Sequence, residues 1–402
     1  MALLAFDDTD SRRGGCTTYV ATEIVEEFGE WDLLGPPRLV RLNPNIPWKT
    51  RGNGALCLRL GRGRGTPRAV GAIHGRPLLS YARGEPAPVD DAMEGRVRRV
   101  LERCSAFDDP TTHPGYAILH RRPDPGLYWR AVRTIVTVAE ALDAARGCGR
   151  VGGWKEGRGR IGALAAASWR PRDRTYEVLA YREPSRWGTP REVDEASVVE
   201  MDRAFPSTFN NYDAENRHVV IAPSSPCPVL FGIRGDVPDD LPRAMRSLRT
   251  EPIDRWLLFE TNQGTDDHLR SAGPEAPVPR TSLILDGFVA ADPQVLPGGH
   301  VVFPVSRGPE VAVDCAVYEP AKQLRRIARS LRAGDRVRVC GSVRETPRTL
   351  NVEKFAVMAL APGRRTLAVG WYEPPVSARR HLAKPLKRMR GAARTASCPA
   401  PP

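Results

Sequence analysis

The chain opens on an unbroken apolar run, Ala2-Leu3-Leu4-Ala5-Phe6, that stops at Asp7-Asp8-Thr9-Asp10-Ser11. Such a run, bounded by a polar turn, predicts a short buried strand. After the turn Arg12 to Gly15, Cys16-Thr17-Thr18 opens a stretch in which Tyr19, Val20, Ile24, Val25 and Phe28 share one face at helical spacing. Arg38 to Leu42 reads as a second strand, broken by Asn43-Pro44-Asn45-Ile46-Pro47. Tandem Gly/Arg at 61–65 predicts a loop or a phosphate-contacting turn, and 86–90 is Pro-rich. From residue 116 a second unit begins. Its first helix is expected over about 129–146, with Val132, Ile135, Val136, Ala139 and Leu142 on one face and Gly147 as the stop. A glycine-rich loop at 152–162 leads into a small-residue helix, Ala163 to Ser168, and β-rich segments follow at 175–182 and 217–222.

The last unit has the plainest pattern. Strands are expected near 282–290, 299–306 and 311–317, a basic helix at 320–332, and two more strands at 335–343 and 350–360. Three strands, a helix and two strands is the order of an OB-fold, a small barrel that binds oligonucleotides across one face. The resulting fold class is α+β and multidomain, with an OB-fold over 275–362 and a basic tail over 363–402. After Glu373 the tail carries seven Lys or Arg and no acid. Its centre holds Arg379, Arg380, Lys384, Lys387 and Arg388.

Composition agrees with a polyanionic partner. The 402 residues exceed what one core usually serves. The formal charge of +13 points to nucleic acid, although the excess of Arg over Lys also fits a GC-rich genome or a hot habitat. Eight cysteines are scattered without a C-x-x-C pair, which offers neither zinc-knuckle spacing nor a dense disulfide framework. No stretch approaches eighteen apolar residues, and the initial apolar run is too short for a signal peptide. A soluble, cytoplasmic protein with no membrane contact is expected.

Candidate chemistry gathers near the first strand. Asp7, Asp8 and Asp10 at a strand end, facing a hydroxyl-rich helix N-terminus, suit Mg²⁺–phosphate chemistry. Carboxylates hold the hard cation, while free amides and the helix dipole hold phosphate oxygens. The acidic turn alone also reads as a solvated loop. The string Arg41-Leu42-Asn43-Pro44-Asn45-Ile46-Pro47-Trp48-Lys49-Thr50-Arg51-Gly52-Asn53-Gly54-Ala55 adds Lys49 and Arg51 as cations for the same phosphates. Gly157-Arg158-Gly159-Arg160-Ile161-Gly162 formally matches G-x-G-x-x-G, but no apolar strand precedes it in a βαβ unit. A loop gripping phosphate or RNA backbone fits better. A P-loop is absent from the sequence.

These strings resemble the archaeal isoleucine-tRNA 2-agmatinylcytidine synthetase family. The resemblance is carried by DDTDS…GGCTTY at 7–19, RLNPNIPWKTRGNGA at 41–55, GRGRIGALAA at 157–166, STFNNYD at 207–213 and PVLFGIRG at 228–235. It continues through TNQGTDDHL at 261–269, assigned here to the barrel, then YEPAKQLR, GSVRETPRTLNVEK and PPVSARRHLAKPLKR, in order along most of the chain. The resemblance implies a kinase-like ATP-binding domain (1–115), a ferredoxin-like domain (116–240), the OB-fold and a zinc ribbon. It also implies conversion of the anticodon wobble cytidine of a minor isoleucine tRNA to agmatidine. Phosphate from ATP activates the C2 carbonyl oxygen, and the amine of agmatine displaces it. By the same resemblance Thr17 falls on an autophosphorylated threonine, and Asp7, Asp8, Lys49 and Arg51 fall near ATP.

Around these, Ser11, Thr18, Asn53, Arg158 and Arg160 are expected to bind ATP or its phosphates. Asn262, Gln263, Lys322 and Arg325, with the tail cations, are expected to bind tRNA. Agmatine, a guanidinium and an amine on a four-carbon spacer, needs a carboxylate and an aromatic wall, for which Asp202, Tyr212 and Asp213 are candidates. A capped turn explains Asn210 to Asp213 equally. Two departures from the family pattern stand out. No cysteine lies between Ala361 and Gly370, where the zinc ribbon belongs, so no zinc is expected. Cys227 also replaces an expected acid in its P-x-P stretch. No protein partner is evident. A non-catalytic RNA-binding paralogue and a small-molecule kinase are the competing readings, weakened by the retained acidic cluster and by the basic barrel and tail respectively.

Overall fold

The computed structural model describes residues 2–372 apart from 215, 274, 309–311, 319–320, 364–366 and 368, and leaves the side chains of 322 and 323 undescribed. The chain divides into two compact units, Met1–Asp267 and His268–Pro402.

The first unit begins with β1 (Ala2–Asp7), α1 (Thr17–Glu27), β2 (Arg38–Arg41), β3 (Gly54–Arg64), β4 (Arg68–Ile73), α2 (Asp91–Cys104) and β5 (Gly115–Leu119). It continues through α3 (Pro125–Arg133), α4 (Val138–Ala144), β6 (Gly149–Gly153) and α5 (Gly159–Ser168). β1 lies antiparallel between β3 and β5, with Leu4 opposite Leu58 on one side and Ile118 on the other. Leu4 and Phe6 pack with Val20, Ile24, Val97 and Leu101 from α1 and α2, while Leu3 and Ala5 pack with Leu127, Leu164 and Ala166 from α3 and α5. Both faces are covered, so the strand reads as a continuous apolar run rather than an alternation. Each fully buried Leu or Phe contributes roughly 1.5–3 kcal/mol.

The rest of this unit adds β7 (Thr175–Arg182), α6 (Glu195–Ala204), β8 (Val229–Gly235), α7 (Asp240–Arg246) and β9 (Ile253–Thr261). β7 is antiparallel to both β8 and β9. β9 runs parallel to β2, with Glu260 opposite Arg38, and antiparallel to β4. Both halves therefore share one sheet, of 13 strands among the described residues. Thr261 to Asp267 closes this unit instead of opening the barrel. Asn262 takes the Arg41 amide on Oδ1 at 2.6 Å, and Asp267 accepts from the Tyr128 hydroxyl at 2.6 Å.

Four local expectations are corrected. The helix expected over 129–146 is two helices, α3 and α4. Asp124 caps α3 and Pro125 takes its first position, so it starts earlier. Thr137 and Glu140 form a reciprocal capping box that restarts the chain as α4, and Ile135 in the break is 41% exposed. Tandem Gly/Arg at 61–65 is mostly strand, since β3 runs to Arg64, and the strand expected at 217–222 shrinks to His218–Val219. The small-residue helix expected at 163 starts at Gly159.

The second unit contains β10 (Ser282–Val289), β11 (Val301–Ser306), β12 (Ala312–Val317), α8 (Lys322–Arg329), β13 (Arg336–Val343) and β14 (Leu350–Ala359). β10 pairs with β13, β13 with β14, β14 in parallel with β12, β12 with β11, and β11 again with β10. The ring is closed, and its interior is filled by Leu285, Val301, Phe303, Val305, Val339 and Phe355. Among the described residues no helix is long and apolar enough to cross a membrane.

Candidate nucleotide site

The site begins where β1 ends. Asp8 adopts a left-handed backbone (φ 60°), which Asp tolerates better than most residues because its short side chain bonds locally. Its amide donates to Asp7 Oδ1 at 2.7 Å, and its own Oδ2 accepts the His113 amide at 3.1 Å. Burial, then the neighbouring Asp8 charge, push the Asp7 carboxyl well above the carboxylate range. Asp8 is raised to about 6 by burial, against the opposing pull of the His113 amide and the Arg158 charge. Two carboxyls held this close resist sharing full negative charge, a condition that a cation relieves.

Helix α5 reaches this point because it carries almost no side chain on its inner face. A Cβ on Gly162 would lie 1.8 Å from Asp7 Oδ2, and one on Gly115 would lie 2.0 Å from the Arg160 amide nitrogen. The glycines of the G-x-G-x-x-G match therefore serve close helix–strand packing. This differs from a loop that grips phosphate, because Gly159, Arg160 and Gly162 are already helical. Arg160 folds back, donating from Nε to the Gly157 carbonyl at 2.9 Å, whereas Arg158 lines the pocket.

That pocket is a cleft open to solvent, with about 740 Å³ of empty space including the solvent at its mouth. Asp7, Asp8, Asp10 and Thr17 line it, together with the cations Lys49 and Arg158. Leu42, Ile46, Trp48, Ile135 and Val136 supply its apolar lining. Lys49 donates to the Pro44 carbonyl, and partial burial lowers its pKa. Asn53 also lines the pocket, with its amide on the Asn43 carbonyl at 3.0 Å. Ile135 and Val136 sit in the break between α3 and α4, so the interruption missed in the sequence supplies part of the wall.

Other candidates are placed differently. Arg51 does not meet open pocket space as a free cation. Its Nη2 and Nε hold Asp10 Oδ2 at 2.6 and 3.0 Å, and Nη2 also donates to the Gly15 carbonyl at 2.6 Å. Asp10 accepts from Thr50 Oγ1 as well, at 2.9 Å. Asp10 is thus committed to Arg51 and Thr50, and among the described residues no group of three or more His, Cys, Asp or Glu is arranged to hold a metal. Cys16, not Thr17, takes the cap position of α1. Thr17 is 7% exposed and accepts from the Thr9 hydroxyl at 3.1 Å. Ser11 is buried in its turn, accepting the Arg13 amide at 3.1 Å.

A second pocket, about 810 Å³, shares Asp10, Thr17, Gly52 and Gly54 with the first. Its walls include Thr18, Cys227, Arg41, Arg234 and Glu177. Glu177 accepts from Arg234 at 3.0 Å and Arg41 at 3.4 Å. The Arg51–Asp10 pair stands at the partition. This second chamber was invisible in the sequence, because its charged walls come from three distant strands.

The agmatine candidates line neither pocket. Asp202 accepts from Asn211 at 2.9 Å, Tyr212 donates to Glu195 at 2.6 Å, and Asp213 accepts from Asn216 at 2.7 Å, so the segment is built as a hydrogen-bonded turn. Asn262 is 5% exposed and spends its amide on the Arg41 backbone and the Tyr128 hydroxyl, which makes it a strand clamp instead of an RNA contact. The Gln263 carbonyl accepts from Thr175 at 2.7 Å. Arg325 donates to the Gly299 carbonyl. The Lys322 side chain, Arg379, Arg380, Lys384, Lys387 and Arg388 lie outside the described residues.

Paired carboxyls, two flanking cations and a helix N-terminus around one pocket define a phosphate-handling protein. Residues 3–151 match the family model of the TiaS TCKD domain, and residues 157–268 match that of the TiaS FLD domain. The chain belongs to the TiaS family. It is 37% identical to TiaS of Methanocaldococcus jannaschii, an isoleucine-tRNA 2-agmatinylcytidine synthetase, over 96% of this chain and 98% of that one. It is 38% identical to the same-named protein of Methanosarcina mazei, over 96% and 97%. The Methanocaldococcus alignment runs over 442 positions while this chain has 402 residues, so that relative carries segments with no counterpart here. Among solved structures, a complex of TiaS with its isoleucine tRNA and ATP is 36% identical with a TM-score of 0.82, covering 98% of this chain and 99% of that one. A complex of TiaS with the same tRNA, AMPCPP and agmatine is 35% identical with a TM-score of 0.81, covering 98% and 99%. The fold is accordingly mixed α+β and multidomain, with a barrel-like sheet region.

Proposed function

We propose that this chain is an ATP-dependent tRNA cytidine–agmatine ligase that converts the wobble cytidine of an isoleucine tRNA to 2-agmatinylcytidine. The observation that carries this reading is the first pocket, where Asp7, Asp8, Thr17, Lys49 and Arg158 converge from three separate segments of the chain. The activity named for the relatives, and the tRNA, ATP analogue and agmatine in the solved complexes, support it. In this reaction ATP supplies a phosphate to the C2 oxygen of cytidine. The primary amine of agmatine then bonds to C2, loses a proton, and the phosphorylated oxygen leaves.

Lys49 and Arg158 draw charge from the ATP phosphates, and the apolar side chains of the pocket receive the base. Asp7 and Asp8 are hard oxygen donors whose raised pKa values reflect burial first and then a neighbouring acid, Asp8 beside Asp7 and Asp10 beside Asp8, and this donor set fits Mg²⁺. Bound there with the nucleotide, the ion would neutralise phosphate charge. Asp10 acts through Arg51, keeping the turn in place. Thr17, common to both pockets, is the proposed phosphate acceptor. Mass mapping of the 12–30 peptide after incubation with ATP tests this, and an unmodified, active protein would remove that role.

The finer architecture belongs to the same proposal. An N-terminal kinase-like domain is followed by a ferredoxin-like domain built on β7, β8 and β9 with two helical crossovers, and then by an OB-fold. The matched family models favour a first boundary between 151 and 157 over one at 115, since β5 and β6 extend the sheet of β1. The basic tail would add phosphate contacts to tRNA in a cytoplasmic enzyme. The deciding experiment incubates the full chain with ATP, agmatine and total tRNA, followed by nucleoside analysis. Agmatidine appears only when all three are present. Stable tRNA binding without any agmatidine would leave a non-catalytic paralogue.

A further inference from the structure

At the far end of α5, a second set of charges gathers. Trp169 caps the helix, and its carbonyl accepts from Arg38 Nη1 at 3.1 Å and Arg122 Nη1 at 2.9 Å. Arg59, on β3, belongs to the same group. Its Nε is buried and meets no acceptor, and its Nη2 lies 2.0 Å from where a Cβ on Gly35 would sit. The carboxylate among these cations is Glu260, already accepting from Arg38 Nε at 2.9 Å and from Arg174 at 2.7 Å.

The helix C-terminus accounts for part of this arrangement, since its dipole favours cations. It does not account for Arg59, which bonds neither the Trp169 carbonyl nor Glu260. The neighbours also repel one another. Arg122 is lowered to about 10 by burial and then by Arg38, with Arg59 and Arg170 adding to it. Arg59 is lowered by burial and by Arg38. A half-buried guanidinium with an unmet donor, among like charges, is costly unless an anion completes it.

We propose that Arg38, Arg59 and Arg122 form an oxyanion site that takes a phosphate group, separate from the nucleotide pocket and at the opposite end of α5. Two sources share this chemistry, a backbone phosphate of RNA and free inorganic phosphate. Only the first rests on the tRNA reading above.

The test uses the full chain saturated with AMPCPP, so that the nucleotide pocket is filled, and titrates inorganic phosphate against chloride at constant ionic strength. Thermal melting is the readout. Phosphate should raise the melting temperature of the wild type and leave Arg59→Gln unmoved. In phosphate-free buffer Arg59→Gln should melt no lower than the wild type, because one repelling charge has gone. A wild type indifferent to phosphate, or an Arg59→Gln protein that keeps the response, overturns the site. Should Arg59→Gln fail to fold, Arg122→Gln is read in the same way, and failure of both overturns the proposal, since the cluster would then be purely structural. Salt-dependent tRNA binding separates the sources. Loss of about one unit of slope in Arg59→Gln assigns the site to RNA backbone. An unchanged slope with the phosphate response lost assigns it to the free anion.

Discussion

Helix α5 has acid at one end and base at the other, and the two ends are built by different means. At the N-terminal end, absent side chains do the work: Gly115, Gly159 and Gly162 bring helix and strand so close that Asp7 has one place to sit. At the C-terminal end, long side chains converge from β2 and the segment after β5 on a single carbonyl, with Arg59 of β3 beside them. Both signs agree with the helix dipole. What differs is tolerance. A guanidinium on a flexible stem can shift by an ångström and keep a bond, whereas the Asp7 carboxyl faces a backbone that leaves it no such freedom. Chemistry that depends on position belongs at the rigid end, and binding that depends on charge belongs at the flexible one.

The broadest expected effect, on stability and rate together, follows from adding one methyl group at the rigid end. In Gly162→Ala the new Cβ would lie 1.8 Å from Asp7 Oδ2, so the helix or the carboxyl must move. Overpacking of this kind costs about 1–3 kcal/mol, and a misplacement of about 1 Å at a reacting centre costs on the order of 100-fold in rate. Thermal melting and agmatidine formation should both fall. A fully active Gly162→Ala protein would mean that the close contact does not position Asp7.

These contrasts were unequally legible in the sequence. The strand–DDTDS–helix start was readable because an apolar run, a polar turn and a helical repeat follow one another without overlap. The α3–α4 break was not, because Val132, Ile135, Val136, Ala139 and Leu142 keep helical phase straight through it. A signal was nevertheless present in Thr137 and Glu140, which have capping-box spacing. The α5 start was placed too late because Gly159 and Gly162 lower helix propensity, and only tertiary packing outweighs that. G-x-G spacing cannot by itself distinguish close packing from phosphate approach, since both require the missing Cβ. The Arg38, Arg59 and Arg122 group left no local trace, because strand pairing alone brings these residues together.

A narrower effect, on turnover and not on folding, is expected from Asp8→Asn, which keeps the shape and removes the charge. Asn tolerates the left-handed backbone at φ 60°, so the fold should persist. Loss of one preorganised charge at a phosphate-transfer site costs about 100- to 1,000-fold in turnover. Agmatidine formation should drop by that factor with tRNA binding unchanged. Undiminished activity would move the metal and phosphate role away from Asp8.

The smallest effect separates two roles for Arg51, and so asks whether the first pocket's rim resembles the rigid or the flexible end of α5. As a phosphate ligand, Arg51 would contribute mainly to ATP binding. As observed, it clamps the turn, with two bonds to Asp10 Oδ2 and one to the Gly15 carbonyl. Arg51→Lys keeps the charge but has no planar fork, so it cannot reproduce the Asp10 pair and the carbonyl bond together. Each net hydrogen bond lost costs about 1 kcal/mol, somewhat more where a charged group takes part. The clamp therefore predicts a modest fall in melting temperature with the KM for ATP nearly unchanged. A raised KM at unchanged stability would instead place Arg51 on the phosphates. Asp10→Asn decides between the two readings independently: under the clamp it should mimic Arg51→Lys, whereas a phosphate-binding Arg51 released from Asp10 should bind ATP more tightly.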